Sequence, residues 1–283
     1  MSVLASVSTD LQPDQQPSRW NNHVGVYETV FEPLTDAFAR RALDQLAFGP
    51  GARLIDVGAG SGGAALLAAA CGADVLAIDA AELMIERIRE RAKRVADGRG
   101  RVRAEVMDGM ALALPAMNFD AAISIFGVIL FPDAARGMRE IARVLKPGGR
   151  VAVVTWTAME RYELAVRWFQ AIAAVRGPQP PPASLPAQLR FRDEHAFRHL
   201  FAQAGLAVEA ILRVEEQWRL PSARWIAEHM AFAPGMAVMV GGLGDDHAKV
   251  LEAFVAALEA DQGQGEVVLS AVAQIGVAVR PTT

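Results

Sequence analysis

The sequence predicts an α/β protein built on a doubly wound, mainly parallel sheet, with a helical cap formed by insertions after strands five and six. Three observations lead there. Short apolar runs alternate with helical patterns from residue 53 to 156, and a glycine-rich turn joins the first run to the helix behind it. Beyond residue 156 the alternation gives way to a proline-rich connector and longer, less regular segments.

Residues 1–18 are rich in Gln, Pro, Asp and Ser and lack the basic start and apolar run of a signal peptide, so they read as a flexible leader. Residues 19–48 read as an N-terminal lid and helix, with Leu34, Phe38, Leu43 and Leu46 at helical spacing before the terminator Gly49-Pro50-Gly51. Residues 49–156 form the expected core. Arg53–Val57 is its first strand, Ala64–Gly72 a helix and Asp74–Asp79 the second strand. Met84, Ile88, Ala92 and Val95 share one face of a helix over residues 82–95, followed by a strand over 102–107. Phe119–Phe126 is almost continuously apolar, which suits a strand covered on both faces. A helix over 133–145 should end at Lys146-Pro147-Gly148-Gly149, and Arg150–Trp156 is the fifth strand.

Residues 157–280 carry the rest of the sheet and the cap. A helix over 160–175 precedes a connector, "RGPQPPPASLP", that cannot form regular structure. A helix closed by Gly205, an alternating strand over 208–220, helices over 222–232 and 245–260, and a last strand near the carboxyl end follow.

Apolar residues make up 52% of the 283-residue chain against 21% charged, a globular composition. Lys plus Arg number 28 and Asp plus Glu 32, so the net charge of −4 offers no field for a polyanion, and nucleic acid is not expected as a partner. The basic run Glu86 to Arg103 is read as an exposed, self-paired helix face, with Glu86, Glu90 and Arg94 spaced by four. Cys71 is the only cysteine, which fits a reducing, cytoplasmic setting. No uncharged apolar stretch reaches the ~18 residues that span a bilayer.

The glycine loop carries the chemistry. Gly58, Gly60 and Gly63 satisfy G-x-G-x-x-G after a strand, and Asp79 closes the next strand at the distance where a carboxylate holds both ribose hydroxyls. That pair suits a nicotinamide cofactor and S-adenosylmethionine alike, because both contain adenosine. Asp56, two residues ahead of Gly58, favours the second: an acid beside the loop attracts a sulfonium and an ammonium and repels a pyrophosphate.

The stretches "LIDVGAGSGG", "LAIDAAELM", "VMDGMALALP", "FDAAISIFGV" and "LKPGGRVAVVTW" resemble, in order and spacing, class I S-adenosylmethionine-dependent methyltransferases with a Rossmann-like fold. They are most similar to the small-molecule branch that includes ubiquinone and menaquinone methyltransferases. The resemblance implies S-adenosyl-L-methionine as cofactor. By it, backbone at Gly58, Ala59 and Gly60 meets the methionine moiety, Asp79 and Ala80 the ribose, and Met84 the adenine face. Asp108, Gly109 and Met110 would frame the adenine edge, and Phe126 would stand near the methyl group. Trp20 and Tyr27 would belong to a closing lid that shields the sulfonium.

The implied acceptor is a hydrophobic or aromatic small molecule methylated on O, C or N, with no assigned catalytic residue, since positioning and water exclusion can drive an in-line displacement. His23 and His229 are the candidate bases by type and place. His195 and His199 lie four apart but lack the Glu of H-E-x-x-H and a third ligand, so no metal is expected. Trp156, Trp168, Phe169, Trp225, Met230, Phe232, Met236 and Met239 would wall the acceptor pocket, and the apolar stretch His229 to Gly244 suits that wall and a homodimer face equally. Two alternatives remain at this point: a nicotinamide oxidoreductase, and a non-catalytic S-adenosylmethionine-binding protein of the same fold.

Overall fold

The computed structural model describes residues 11–94, 100–180 and 184–282. A 3₁₀ turn at Pro13–Gln15 and short helices α1 (Pro17–Trp20) and α2 (Val24–Val26) lead through a π turn at Tyr27–Phe31 into α3 (Glu32–Asp44). The core then alternates β1 (Arg53–Val57), α4 (Gly63–Ala70), β2 (Asp74–Asp79), α5 (Glu82–Ala92), β3 (Arg101–Val106), β4 (Phe119–Ile125), α6 (Ala134–Val144) and β5 (Leu145–Trp156). Next come α7 (Glu163–Arg176), α8 (Glu194–Ala202), β6 (Ala207–Leu220), α9 (Ala223–Glu228), α10 (Pro234–Gly241), α11 (His247–Gln262) and β7 (Val267–Val279).

The seven strands lie in the order β3-β2-β1-β4-β5-β7-β6. β1 to β5 pair in parallel, while β7 runs antiparallel to both β5 and β6. The order reverses between β1 and β4, which opens a crevice outside their carboxyl ends. β4 shows that the sheet is covered on both sides: Ala121, Ala122, Ile123, Ser124 and Ile125 are buried in succession, so both faces of the strand are inside.

Several boundaries differ from the sequence reading. β5 begins at Leu145, directly out of α6, so Lys146-Pro147-Gly148-Gly149 lies within the strand; Gly148 takes φ +79° and the register with β4 shifts between Phe119 and Ala121. The expected helix over 222–232 stops at Glu228, and a second helix, α10, starts at Pro234, a residue whose fixed φ and missing N–H suit a first helical turn. The expected leader needs correction. Its residues 1–10 lie outside the described residues, but 11–18 are fixed in place: Gln12 Nε2 donates to Leu185 O and Gln12 Oε1 accepts from Ala187 N, at 3.1 and 2.7 Å. Part of the proline connector, residues 181–183, and the stretch 95–99 of the basic run also lie outside the described residues.

The basic helix α5 is less self-contained than its spacing predicts. Arg87 pairs with Glu90 on its own helix at 2.9 Å, but also with Glu28 at 2.6 Å, and Arg91 pairs with Glu32 at 2.6 Å. These pairs bolt the amino-terminal segment to the sheet. Among the described residues no helix is long and apolar enough to cross a membrane, and no cluster of three metal-ligating side chains occurs.

Candidate active site

A cavity of about 740 Å³ opens at the carboxyl ends of β1, β2, β4 and β5. That size suits a cofactor and a small ligand together. Each sequence-predicted site residue can be placed against it. Gly58 and Gly60 come from the β1–α4 loop, Asp79 and Ala80 from the end of β2, and Met84 from α5; Asp108, Gly109 and Met110 follow β3, and Phe126 ends β4. Trp20 and Tyr27 line the same cavity from the amino-terminal segment. Ala59 does not: its N–H is turned back onto Ile78 O at 2.9 Å.

The loop is held by its own backbone. Ile78 O accepts from both Gly58 N and Ala59 N at 2.9 Å, and Gly62 N donates to Ala59 O at 3.0 Å. Asp79 completes it, with Oδ2 accepting from Gly60 N at 2.9 Å and Oδ1 from Ala81 N at 2.8 Å. These bonds fix the carboxylate and leave it lone pairs for a diol. Asp108 is fixed likewise, Oδ1 accepting from Met110 N at 2.8 Å. Gly58 has φ +73°, and a Cβ there would stand 2.9 Å from Gly127 Cα, so the β1 and β4 loops cross only because both residues are glycine. Ser124 locks that crossing, donating to Val57 O at 2.7 Å and accepting from Val128 N at 2.8 Å.

Behind the loop the charges differ from the sequence reading. Asp56 is buried and does not line the cavity; strand alternation turns it toward the Ala65 N–H of α4, with neither carboxyl oxygen in a well-formed hydrogen bond. Burial and the neighbouring Asp79 push its pKa up to about 8, so at neutral pH it is largely uncharged and cannot attract a sulfonium as expected. Asp36 and Glu32 pack against Gly63 at the start of α4. A pyrophosphate-binding loop places its anion at that helix start. Here the protein's own carboxylates occupy it, and the N–H groups of Gly58, Ala59, Gly60 and Gly62 are already donated.

Away from the glycine loop the cavity becomes apolar. Phe126, held at φ +56° where non-glycine residues are rare, stacks on Trp156 with ring centres 4.1 Å apart, and Trp156 stacks on Tyr162 at 4.9 Å. Trp168, Phe169, Phe232, Met236 and Met239 line this part as expected, whereas Trp225 and Met230 lie elsewhere. Among the described residues no Lys, Arg or His lines the cavity. His23 is bound through Nδ1 to Arg19 O, and His229 stacks on Trp225 at 4.3 Å; neither faces the chamber, so both lose their standing as bases there. Sequence reasoning missed Asp14 and Tyr162, which both line it. Neither sits in a recognisable motif.

The sequence profile of the family described as "Methyltransferase domain" matches residues 55–153. By that match the part of the chain from β1 to β5 is similar to a methyltransferase domain. The chain is 35% identical over 135 residues to 27-O-demethylrifamycin SV methyltransferase of Amycolatopsis mediterranei, covering 47% of this chain and 48% of that protein. It is also 35% identical over 133 residues to nocamycin O-methyltransferase of Saccharothrix syringae, covering 46% of each. In each case the matched region spans about half the relative's length. Among solved structures, the [4+2]-cyclase SpnF shares the fold at a TM-score of 0.62 and 19% identity, covering 97% of this chain and 98% of that one.

S-Adenosylmethionine is the methyl donor of this family. The site fits it on chemical grounds. Among the described residues no cation in the wall opposes a sulfonium or an ammonium, Asp79 keeps acceptor lone pairs at the cavity, and Met84, with 1% exposure, brings a thioether to the same wall.

Proposed function

We propose that this protein transfers the methyl group of S-adenosylmethionine to an oxygen of a hydrophobic small molecule. The carrying observation is that Asp79 and Asp108 line one end of a cavity that no cationic side chain among the described residues lines, and whose other end is walled by aromatic and methionine side chains. The names of the two O-linked natural-product methyltransferases among its relatives support oxygen as the accepting atom.

In this reading Asp79 accepts hydrogen bonds from the ribose hydroxyls, and Ala80 closes that corner. Asp108 accepts from the adenine amino group, Gly109 and Met110 frame the ring edge, and Met84 covers its face. Gly58 and Gly60 let the methionine portion lie against backbone. Phe126 flanks the transferring methyl, while Trp20 and Tyr27 exclude water from above. When bound, the cofactor would supply an electrophilic methyl, the C–S bond breaking with its electron pair left on sulfur as the C–O bond forms, and the acceptor proton would pass to bulk water as the product leaves. Charge is dispersed in such a displacement, so alignment and a dry chamber supply much of the acceleration.

Thermal denaturation with S-adenosylhomocysteine and, in parallel, NADH tests the cofactor assignment. At ~100 times its dissociation constant, S-adenosylhomocysteine should stabilise the protein by about 2.7 kcal/mol while NADH does nothing. Stabilisation by NADH alone would overturn the reading. Turnover of S-adenosylmethionine with a panel of phenols and aliphatic alcohols tests the transfer itself.

A further inference from the structure

Among the described residues three carboxylates line the cavity, and they differ in origin. Asp79 and Asp108 end or follow β2 and β3, whereas Asp14 reaches in from the strap ahead of α1. Asp14 is half-buried and gripped twice: Oδ1 accepts from Gly235 N at 2.7 Å, and its main-chain carbonyl accepts from Trp20 Nε1 at 2.9 Å. Its other oxygen is uncommitted. Oδ2 has no hydrogen-bond partner among the described residues and lies 2.6 Å from where a Cβ of Gly235 would stand, beside a backbone that itself lines the cavity. Both oxygens of Asp56 are sealed in the core without a well-formed partner; Asp14 Oδ2 is not sealed in that way.

Its neighbours tie Asp14 to both halves of the cavity. Trp20 meets Tyr27 edge to face with ring centres 5.7 Å apart, and Tyr27 covers Gly60, where a Cβ would stand 3.5 Å from its ring. On the other flank Gly235 lies in the first turn of α10, next to Ala233 and Met236 of the apolar chamber. The carboxylate thus sits between the glycine loop and the apolar roof.

We propose that Asp14 is the general base of the transfer and that the acceptor is a neutral phenol whose hydroxyl proton passes to Asp14 Oδ2. This rests on the methyl-transfer reading. As the proton reaches Oδ2, the phenol oxygen forms the new C–O bond, the C–S bond breaks with its electron pair left on sulfur, and Asp14 afterwards gives the proton to bulk water. A phenol is closer in acidity to a carboxylate than an aliphatic alcohol is, and its ring suits the Phe126–Trp156–Tyr162 stack, whose successive planes incline by only 20°. An acceptor that arrives already ionised meets three carboxylates and, among the described residues, no Lys, Arg or His in the wall. Burial raises the Asp14 carboxyl above its ordinary value, which improves a base, while the Gly235 N–H and the neighbouring His23 hold it down.

The test is Asp14→Asn, whose amide oxygen can still accept from Gly235 N, with 2-naphthol as acceptor and S-adenosylmethionine saturating, at about pH 7 to 9. At the lower end the variant should be about 100-fold slower than the native protein. Without a base it depends on naphtholate already in solution, so the native-to-variant ratio should shrink as pH rises, by up to about tenfold per unit, toward one near the acceptor's own pKa of about 10. Tyr27 and Tyr162, pushed up by burial, stay protonated throughout, and Asp56, raised to about 8, titrates in both proteins, so the ratio isolates Asp14. Affinity for S-adenosylhomocysteine should match the native value. A ratio that is constant with pH, a ratio near one throughout, weaker S-adenosylhomocysteine binding by the variant, or a native protein that binds S-adenosylhomocysteine yet leaves 2-naphthol unmethylated overturns the proposal. A native protein that does not bind S-adenosylhomocysteine overturns the methyl-transfer reading instead.

Discussion

Asp14 Oδ1 accepts the N–H of Gly235 at 2.7 Å, joining positions 221 residues apart across the cavity. The clasp is close: a Cβ on Gly235 would fall 2.6 Å from Asp14 Oδ2. Trp20 Nε1 braces it by donating to Asp14 O at 2.9 Å.

Removing the clasp should loosen the roof and leave the sheet intact. Asp14→Ala should speed S-adenosylhomocysteine release about tenfold, since a hydrogen bond to a charged group is worth about 1.5–3 kcal/mol. Stopped-flow dissociation reads the release rate, and limited proteolysis should show new cleavage near residues 11–20. An unchanged rate would mean the amino-terminal strap does not gate the cavity.

Asp79 fixes the loop geometry and, in the proposed reading, also holds the ribose. Asp79→Ala leaves Gly60 N and Ala81 N without their acceptor, so it should lower stability by about 1–3 kcal/mol and cofactor affinity by about 100-fold. Urea unfolding and isothermal titration separate the two effects. Full retention of affinity would remove Asp79 from the ribose site.

Gly58→Ala tests the loop crossing. The added methyl would strike Gly127 Cα at 2.9 Å in a backbone already at φ +73°. A loss of about 1–3 kcal/mol in stability is expected from the strained conformation, with more from the clash, and it should appear in denaturant midpoints even without ligand.

Stability should fall as pH rises from 5 to 8. Burial, then the adjacent Glu32, raise Asp36 to about 7; burial, then Asp79, raise Asp56 to about 8. In the unfolded chain both ionise near 4, so across that window the native state holds protons that the unfolded state has lost. The stability is therefore fully present below about pH 4 and drains away as pH climbs through 7 and 8, by up to about 1.4 kcal/mol per pH unit for each group. Glu28 and Glu140, held below the usual carboxylate range by Arg87 and Arg143, act in the opposite sense but only at more acid pH. Asp56→Asn should flatten the slope. Chemical denaturation at half-unit pH steps checks it, and a flat or rising profile for the native sequence contradicts it.

The parallel half of the fold was legible because each strand is a buried apolar run set between glycine turns and amphipathic helices, a local pattern. The convergence of Gly58, Asp79 and Asp108 on one cavity was legible for the same reason: each ends or follows a strand at fixed spacing, and they come together once the sheet forms. What failed depended on direction or distance. Asp56 lies in the right motif, yet pleat alternation points it under α4, which spacing alone does not reveal. Asp14 finds its partner on α10, 221 residues along the chain, and nothing in the string around Pro13 announces Gly235. Tyr162 gains meaning from Trp156 beneath it, a stacking visible only in three dimensions.

The cavity-lining residues that the methyl-transfer reading gives to the cofactor end at Phe126, while the roof is drawn mostly from Trp156 onward and from the strap before Trp20. On that reading, substitutions across residues 156–239 change the recipient and leave the donor end as it is, so the place where the chain turns from sheet to cap separates a constant reagent from a variable product.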